Sequence, residues 1–250
     1  MGSLTNRETQ ISLSLLEYES DLLKHLDQFK CSKVFSQILE LVVSGKLYSL
    51  HIDVMRPPLI SNRSAFPIEL IRRIYENLHE RITLEIHLMV KEPELLIEDI
   101  NKFVEPDGRT EVSMIIQREA YGSEEEVIKT LRAIKTLGYR AGIGLNLPTP
   151  FKSLTEEIIK NADLVLIMSV PMGKGGQKYD DQATERIKVI ASRFPDKPIK
   201  VDGGINDKTV QSVKKAGAKI LVIGSFVSMS KKPLAVLENL ERMLENPQNF

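Results

Sequence analysis

Leu50-His51-Ile52-Asp53-Val54-Met55 sets a histidine and an aspartate two residues apart in an otherwise apolar run. Strand alternation puts His51, Asp53 and Met55 on one face and Leu50, Ile52 and Val54 on the other. Ionisable groups on the inward face of a buried strand are costly unless something pairs with them. The run therefore points to a fold whose strands end at a chemical site. Leu84-Glu85-Ile86-His87-Leu88-Met89-Val90 repeats the device, with Glu85, His87 and Met89 in step. A third run, Ile199-Lys200-Val201-Asp202-Gly203-Gly204, ends on Asp202.

Outward from these three, short β-branched or apolar runs recur along the whole chain. They are Ile11–Leu16, Tyr48–Met55, Ile82–His87, Glu111–Gln117, Arg140–Asn146, Ala162–Val170, Pro198–Asp202 and Lys219–Gly224. Segments with helical spacing of apolar residues lie between them. Pro67 stands near the first turn of one, and Ser123 caps another ahead of Glu124, Glu125 and Glu126. Val210–Ala218 closes a third with Gly217 near its end. Asp21 to Gly45 has room for more than one helix, with a break at Phe29-Lys30-Cys31-Ser32. Eight strand–helix pairs in 250 residues predict an α/β fold, a (β/α)8 TIM barrel. A doubly wound sheet would show a glycine-rich turn after its first strand. Here Leu15-Leu16-Glu17-Tyr18 follows, and the glycines gather after strands six, seven and eight. No linker or composition break divides the chain, so residues 1–250 read as one barrel domain, with a disordered or tag-derived start over about residues 1–8.

Composition narrows the function classes. Apolar residues make up 42% and charged residues 27%, with 34 basic against 34 acidic side chains. No bulk field draws such a chain to nucleic acid or anionic lipid. A single cysteine, Cys31, can form no internal disulfide, which fits a reducing, cytoplasmic location. No apolar run approaches the roughly 18 residues of a membrane span. The opening Met1-Gly2-Ser3-Leu4-Thr5-Asn6 reads as neither a myristoylation nor a secretory signal.

In a barrel the last inward residues of each strand face the active site. Three strands then deliver His51, Asp53, His87 and Asp202 to one mouth. Two imidazoles and two carboxylates suit one divalent metal such as Zn²⁺, Fe²⁺, Mn²⁺ or Co²⁺. The other histidines, His25 and His79, sit in helical patterns and are expected to be exposed. A second constellation is the late glycines: Gly173, Gly175 and Gly176 after strand six, Gly203 and Gly204 after strand seven, Gly224 with Ser225 after strand eight. Glycines let backbone N–H groups approach a phosphate closely. On this reading, valine at Gly204 or Gly224 intrudes where phosphate oxygens lie.

These motifs resemble the ribulose-phosphate 3-epimerase family from "ISLSLL" to "VIGSFV". That family's Pro-Ser-Ile-Leu is similar to Leu13-Ser14-Leu15-Leu16, and its His-x-Asp-x-Met to His51, Asp53 and Met55. Its His-Leu-Met-Val matches His87 to Val90, and its Asn-Pro-x-Thr-Pro resembles Asn146-Leu147-Pro148-Thr149-Pro150. "LIMSV" with "GKGGQKY", and "VDGGIN", resemble its sixth and seventh strands with their loops. The resemblance implies a barrel isomerase that binds one divalent metal through His51, Asp53, His87 and Asp202. It implies inversion at C3 of a ketose phosphate through a cis-enediolate, with Asp53 and Asp202 as acid and base on opposite faces. Ser14 joins the substrate side, and Met55, Met89 and Met168 wall the intermediate.

The loops depart from the family. Arg56-Pro57-Pro58-Leu59-Ile60-Ser61-Asn62 replaces Asp-Gly-x-Phe-Val-Pro-Asn, Gln117-Arg118-Glu119 replaces His-x-Glu, and Pro171-Met172-Gly173-Lys174 replaces Asn-Pro-Gly-Phe. D-ribulose 5-phosphate, converted to D-xylulose 5-phosphate in the pentose phosphate pathway, is the expected substrate. A ketohexose-phosphate 3-epimerase or a catalytically silent sugar-phosphate-binding paralogue are the alternatives. The related decarboxylase and hexulose-phosphate synthase group needs a lysine at position 55, which is Met55. The expected partner is a small phosphorylated ketose, with no nucleic acid and no membrane, in a homo-oligomer.

Overall fold

Each of the eight runs forms a strand: β1 Gln10–Ser14, β2 Ser49–Met55, β3 Thr83–Met89, β4 Val112–Gln117, β5 Arg140–Leu145, β6 Leu164–Met168, β7 Ile199–Asp202 and β8 Ile220–Ile223. The computed structural model describes residues 9–245, so the expectation for residues 1–8 lies outside the described residues. Helices α1 (Glu19–Lys24) and α2 (Lys33–Val43) follow β1, and α3 (Ile68–Leu78) follows β2. One helix follows each of the next five strands: α4 (Pro93–Asn101), α5 (Glu124–Thr136), α6 (Glu156–Asn161), α7 (Gln182–Arg193) and α8 (Val210–Ala216). After β8 come α9 (Ser225–Ser228) and α10 (Pro233–Glu245). The strands pair in sequence order, all parallel, and β8 closes on β1, which makes the (β/α)8 barrel.

The element ends have local causes. Ser32 breaks the chain after Cys31 and caps α2, accepting from the Val34 and Phe35 N–H groups. Ser123 and Glu126 form a reciprocal capping box on α5. Gly217 ends α8 in the left-handed region at φ 110°. Strand six is shorter than its apolar run. Past Met168, the Ser169 N–H donates to the Asp202 carbonyl (2.8 Å) and its Oγ donates to the carbonyls of Asp202 and Gly203, tying the end of β6 to that of β7.

Outward-facing strand residues such as Leu50, Ile52, Val54, Ile86 and Leu88 are fully buried under the helices. A slip of one residue would turn this set into the lumen and the ionisable set outward. Each such side chain gains about 1.5–3 kcal/mol from burial. The apolar face therefore pins His51, Asp53 and His87 inward. Part of the lumen is apolar, a separate cluster of Ile115, Leu164 and Leu166.

The remainder of the lumen is polar. Lys200 is fully buried and its Nζ forms an ion pair with Glu85, which reaches in from β3. Ser12 Oγ donates to Glu85 Oε2 (2.7 Å) and accepts from Lys200 Nζ (3.1 Å) and Ser49 Oγ (2.8 Å). A lysine among apolar strand residues, two positions before Asp202, was the sequence signal for this pair; its partner across the ring was not readable. His79 corrects an expectation. It is half-buried, stacked on Tyr75 with ring centroids 4.2 Å apart, and its Nδ1 lies 2.7 Å from the Tyr75 carbonyl oxygen.

Candidate active site

Register builds the site. Asp53 pairs with His87, Met55 with Met89, Ser14 with His51, and Met168 with Asp202. His51 and His87 are fully buried and Asp53 is 4% exposed, while Asp202 opens further onto the cleft. One donor atom from each of His51, Asp53, His87 and Asp202 falls within 4.8 Å of every other. Asp53 Oδ1 lies 3.2 Å from both His51 Nε2 and His87 Nδ1, and Ser14 Oγ donates to Asp53 Oδ2 at 3.0 Å.

The donor set fits a divalent cation. His51 Nε2 is buried and, despite its 3.2 Å approach to Asp53, makes no hydrogen bond among the described residues. Its lone pair and the carboxylate converge on a shared point, as ligands of one ion do. Beyond the cluster, Glu85 Oε2 stands 3.8 Å from His51 Nδ1. A carboxylate behind a metal-binding imidazole is a common arrangement.

The two aspartates are electrostatically distinct. Burial alone would raise the Asp53 carboxyl, but the His51 and His87 imidazoles outweigh burial and hold it well below the usual carboxylate range. Burial, reinforced by Asp53, pushes the Asp202 carboxyl up to about 6, against the pull of His51, His87 and Lys200. One carboxyl favours its ionised form and its neighbour keeps a proton longer, which is the division of labour acid–base chemistry needs.

One cleft collects the remaining expected residues. Asp53 and Asp202, the three methionines Met55, Met89 and Met168, and Ser14 all line it. So do Gly173, Gly175, Gly176, Gly203, Gly204, Gly224 and Ser225. One of the glycines, Gly204, corrects the expected effect of a side chain. A Cβ on Gly204 would meet the Tyr179 backbone nitrogen and lie 2.9 Å from the Lys178 carbonyl carbon. Gly204, at φ 62°, thus lets the loops after β6 and β7 touch rather than clearing room for a ligand. A Cβ on Gly224 would face Ser14, 3.4 Å from its Cβ.

Three features of the mouth were not read from the sequence. The exposed Glu17 carboxylate occupies the space a Cβ on Gly175 would fill, so an acid faces the glycine loop. Arg63 donates to the Gly173 carbonyl (2.7 Å), joining the loop after β2 to the loop after β6 across the mouth. Arg56, where the family pattern has aspartate, turns back to its own loop and donates to the carbonyls of Met55 (2.6 Å) and Phe66 (2.8 Å).

Comparison with known proteins gives the family. The profile of the Ribulose-phosphate 3 epimerase family matches residues 32–228. The chain is 31% identical to the ribulose-phosphate 3-epimerase of Aquifex aeolicus, over 82% of this chain and 89% of that one. It is 29% identical to the cytoplasmic isoform of that enzyme from Oryza sativa, over 80% and 84%. The 3-hexulose-6-phosphate synthase structure from Salmonella typhimurium superposes with a TM-score of 0.65, covering 95% of this chain and 99% of the other. At 13% identity, that likeness speaks for the barrel alone. No described helix is long and apolar enough to cross a membrane. By its matched length and its relatives, the chain belongs to the ribulose-phosphate 3-epimerase family and is an isomerase of the racemase and epimerase class.

Proposed function

We propose that this chain inverts C3 of a ketose phosphate, interconverting D-ribulose 5-phosphate and D-xylulose 5-phosphate. The observation that carries this reading is the pair Asp53 and Asp202, brought from β2 and β7 into one cleft beside two imidazoles. His51, Asp53, His87 and Asp202 would hold one divalent ion. When bound, that ion supplies Lewis-acid stabilisation of negative charge on the sugar's C2 and C3 oxygens.

One carboxylate accepts the C3 proton, and the C–H electron pair moves toward the C2 ketone to give an enediolate. The other carboxyl, protonated at the start, delivers its proton to the opposite face of C3. The two groups end with exchanged protonation states, which the reverse reaction uses directly. Ser14 orients Asp53 through its 3.0 Å hydrogen bond. Met55, Met89 and Met168 keep water from the intermediate, and the backbone of the glycine loops receives the phosphate. A cytoplasmic location belongs to the same reading, supported by the rice relative's designation as a cytoplasmic isoform.

The test is metal analysis of the purified chain, then turnover of a panel of ketopentose and ketohexose phosphates. The reading predicts one divalent ion per chain and preference for D-ribulose 5-phosphate. Preference for a ketohexose phosphate would move the substrate. No turnover of any sugar by metal-loaded protein would make the chain a silent binding paralogue.

A further inference from the structure

His87 approaches Asp53 through Nδ1, which leaves Nε2 on the far side of its ring. With Nδ1 offered to the ion that the four donors would hold, a neutral His87 carries its proton on Nε2. That buried donor has no partner among the described residues. Leaving such a group unpaired is costly, so an acceptor is expected close by.

Gln117, the last residue of β4, supplies one. Its Oε1 is also buried and also lacks a partner. Register sets Gln117 beside Gly144, and the carboxamide oxygen fills the space a Cβ on Gly144 would take. His87 Nε2 lies 3.3 Å from that same point. The absent side chain of Gly144 therefore gives the orphaned donor and the orphaned acceptor a common space.

The amide's orientation is set at its other end. Gln117 Nε2 donates to Met168 Sδ and Met172 Sδ, each at 3.4 Å. Met172 is in turn fixed by its backbone N–H, which donates to Asn146 Oδ1 at 2.9 Å. A thioether accepts and cannot donate. A flipped amide would turn its oxygen to two sulfurs and its NH₂ to the imidazole N–H. Glu119, two residues on, turns to the end of β5, where its Oε1 accepts from the Asn146 N–H.

We propose that Gln117 is a positioning residue for His87: its carboxamide oxygen takes the Nε2–H and locks the tautomer that presents Nδ1 to the metal cluster. Each imidazole then has an acceptor behind it, Glu85 for His51 and Gln117 for His87. The inference rests on reading the four donors as a metal site, and its first test reads the imidazole nitrogens rather than activity.

Imidazole ¹⁵N shifts in the Zn²⁺-loaded full chain report which nitrogen of His87 meets the ion and which carries the proton. His87 should be protonated at Nε2, with a through-space contact from that proton to the Gln117 side chain. Gln117→Met keeps the length and the thioether packing but lacks the oxygen. It should lose the single tautomer and bind Zn²⁺ about 10–100-fold more weakly in chelator competition. Gln117→Glu, which keeps an acceptor, should restore the Nε2–H form and tight binding. A wild-type His87 protonated at Nδ1 overturns the proposal even if Gln117→Met fails to fold. A Gln117→Met protein with unchanged tautomer and unchanged Zn²⁺ affinity overturns it too. Wild-type protein that binds no Zn²⁺ would instead remove the metal reading, and the role of Gln117 with it.

Discussion

His51, Asp53 and His87 stand on strands, are almost wholly enclosed, and are held by register to β1, β3 and β4. Gly173, Gly175 and Gly176 line one cleft with Asp53 but lie in the loop between β6 and α7, where Gly175 and Gly176 are exposed. The first half of the cleft is therefore fixed by the same burial that closes the barrel. The second half is fixed by a few contacts between loops, among them Arg63 with Gly173 and Gly204 with Tyr179. Two of the three departures from the family pattern, at residues 56–62 and 171–174, lie in the loops, while the third, Gln117, sits at the buried end of β4. Changing Asp53 would disturb a buried cluster, whereas replacing Asp-Gly by Arg56-Pro57 required only a new set of loop hydrogen bonds.

If the strand half carries the chemistry, its variants should show the largest losses. Asp53→Asn and Asp202→Asn should each lower kcat by about 10²–10⁴-fold or more, read in steady-state assays of metal-loaded protein. A loop variant such as Lys174→Ala should act on KM and leave kcat near wild type. Comparable kcat losses in both halves would erase the distinction.

The lumen pair gives the next largest effect. Lys200→Met leaves Glu85 ionised and unpaired in a sealed space, which should cost about 3–5 kcal/mol in denaturant unfolding. Adding Glu85→Gln should recover much of that loss, because the second change removes the stranded charge. A single variant within about 1 kcal/mol of wild type would mean that Glu85 finds another partner.

A pH series sharpens the electrostatic side of the comparison. With its carboxyl raised to about 6, Asp202 is protonated in metal-free protein below that pH. A bound ion must then displace a proton, so Zn²⁺ affinity should fall about tenfold per unit as pH drops below about 6. Well above 6 this contribution vanishes. Competition titrations in Asp202→Asn, which lacks the titrating group, should show a shallower slope.

The smallest effect belongs to the glycine half. Glu17 puts a negative charge beside Gly175, and Glu17→Gln should lower KM for a phosphorylated ketose about fivefold. KM for the unphosphorylated sugar should not change. Equal effects on both sugars would show that Glu17 acts on the loop rather than on the phosphate.

The sequence showed the strand half more fully than the loop half for physical reasons. Alternation places His51 with Asp53 and Glu85 with His87 on one face without any tertiary knowledge, and the apolar residues between them fix that face inward. The partner of Lys200 depends on which strands share the lumen, which no local pattern encodes. The same holds for Gly204. Its glycine was visible, but the Tyr179 backbone it must clear belongs to a loop more than 20 residues earlier. Glu17 gave no periodic signal, since it follows β1 in a short turn.

The central claim is that two carboxyl groups from different strands work on opposite faces of C3. The direct measurement follows solvent deuterium into C3 while metal-loaded protein acts on D-ribulose 5-phosphate in D₂O. The account predicts deuterium at C3 of the epimerised product. It also predicts that Asp53→Asn and Asp202→Asn each lose inversion, any residual exchange being confined to one epimer. Inversion with the original C3 hydrogen retained, or inversion at the wild-type rate in either variant, would contradict it.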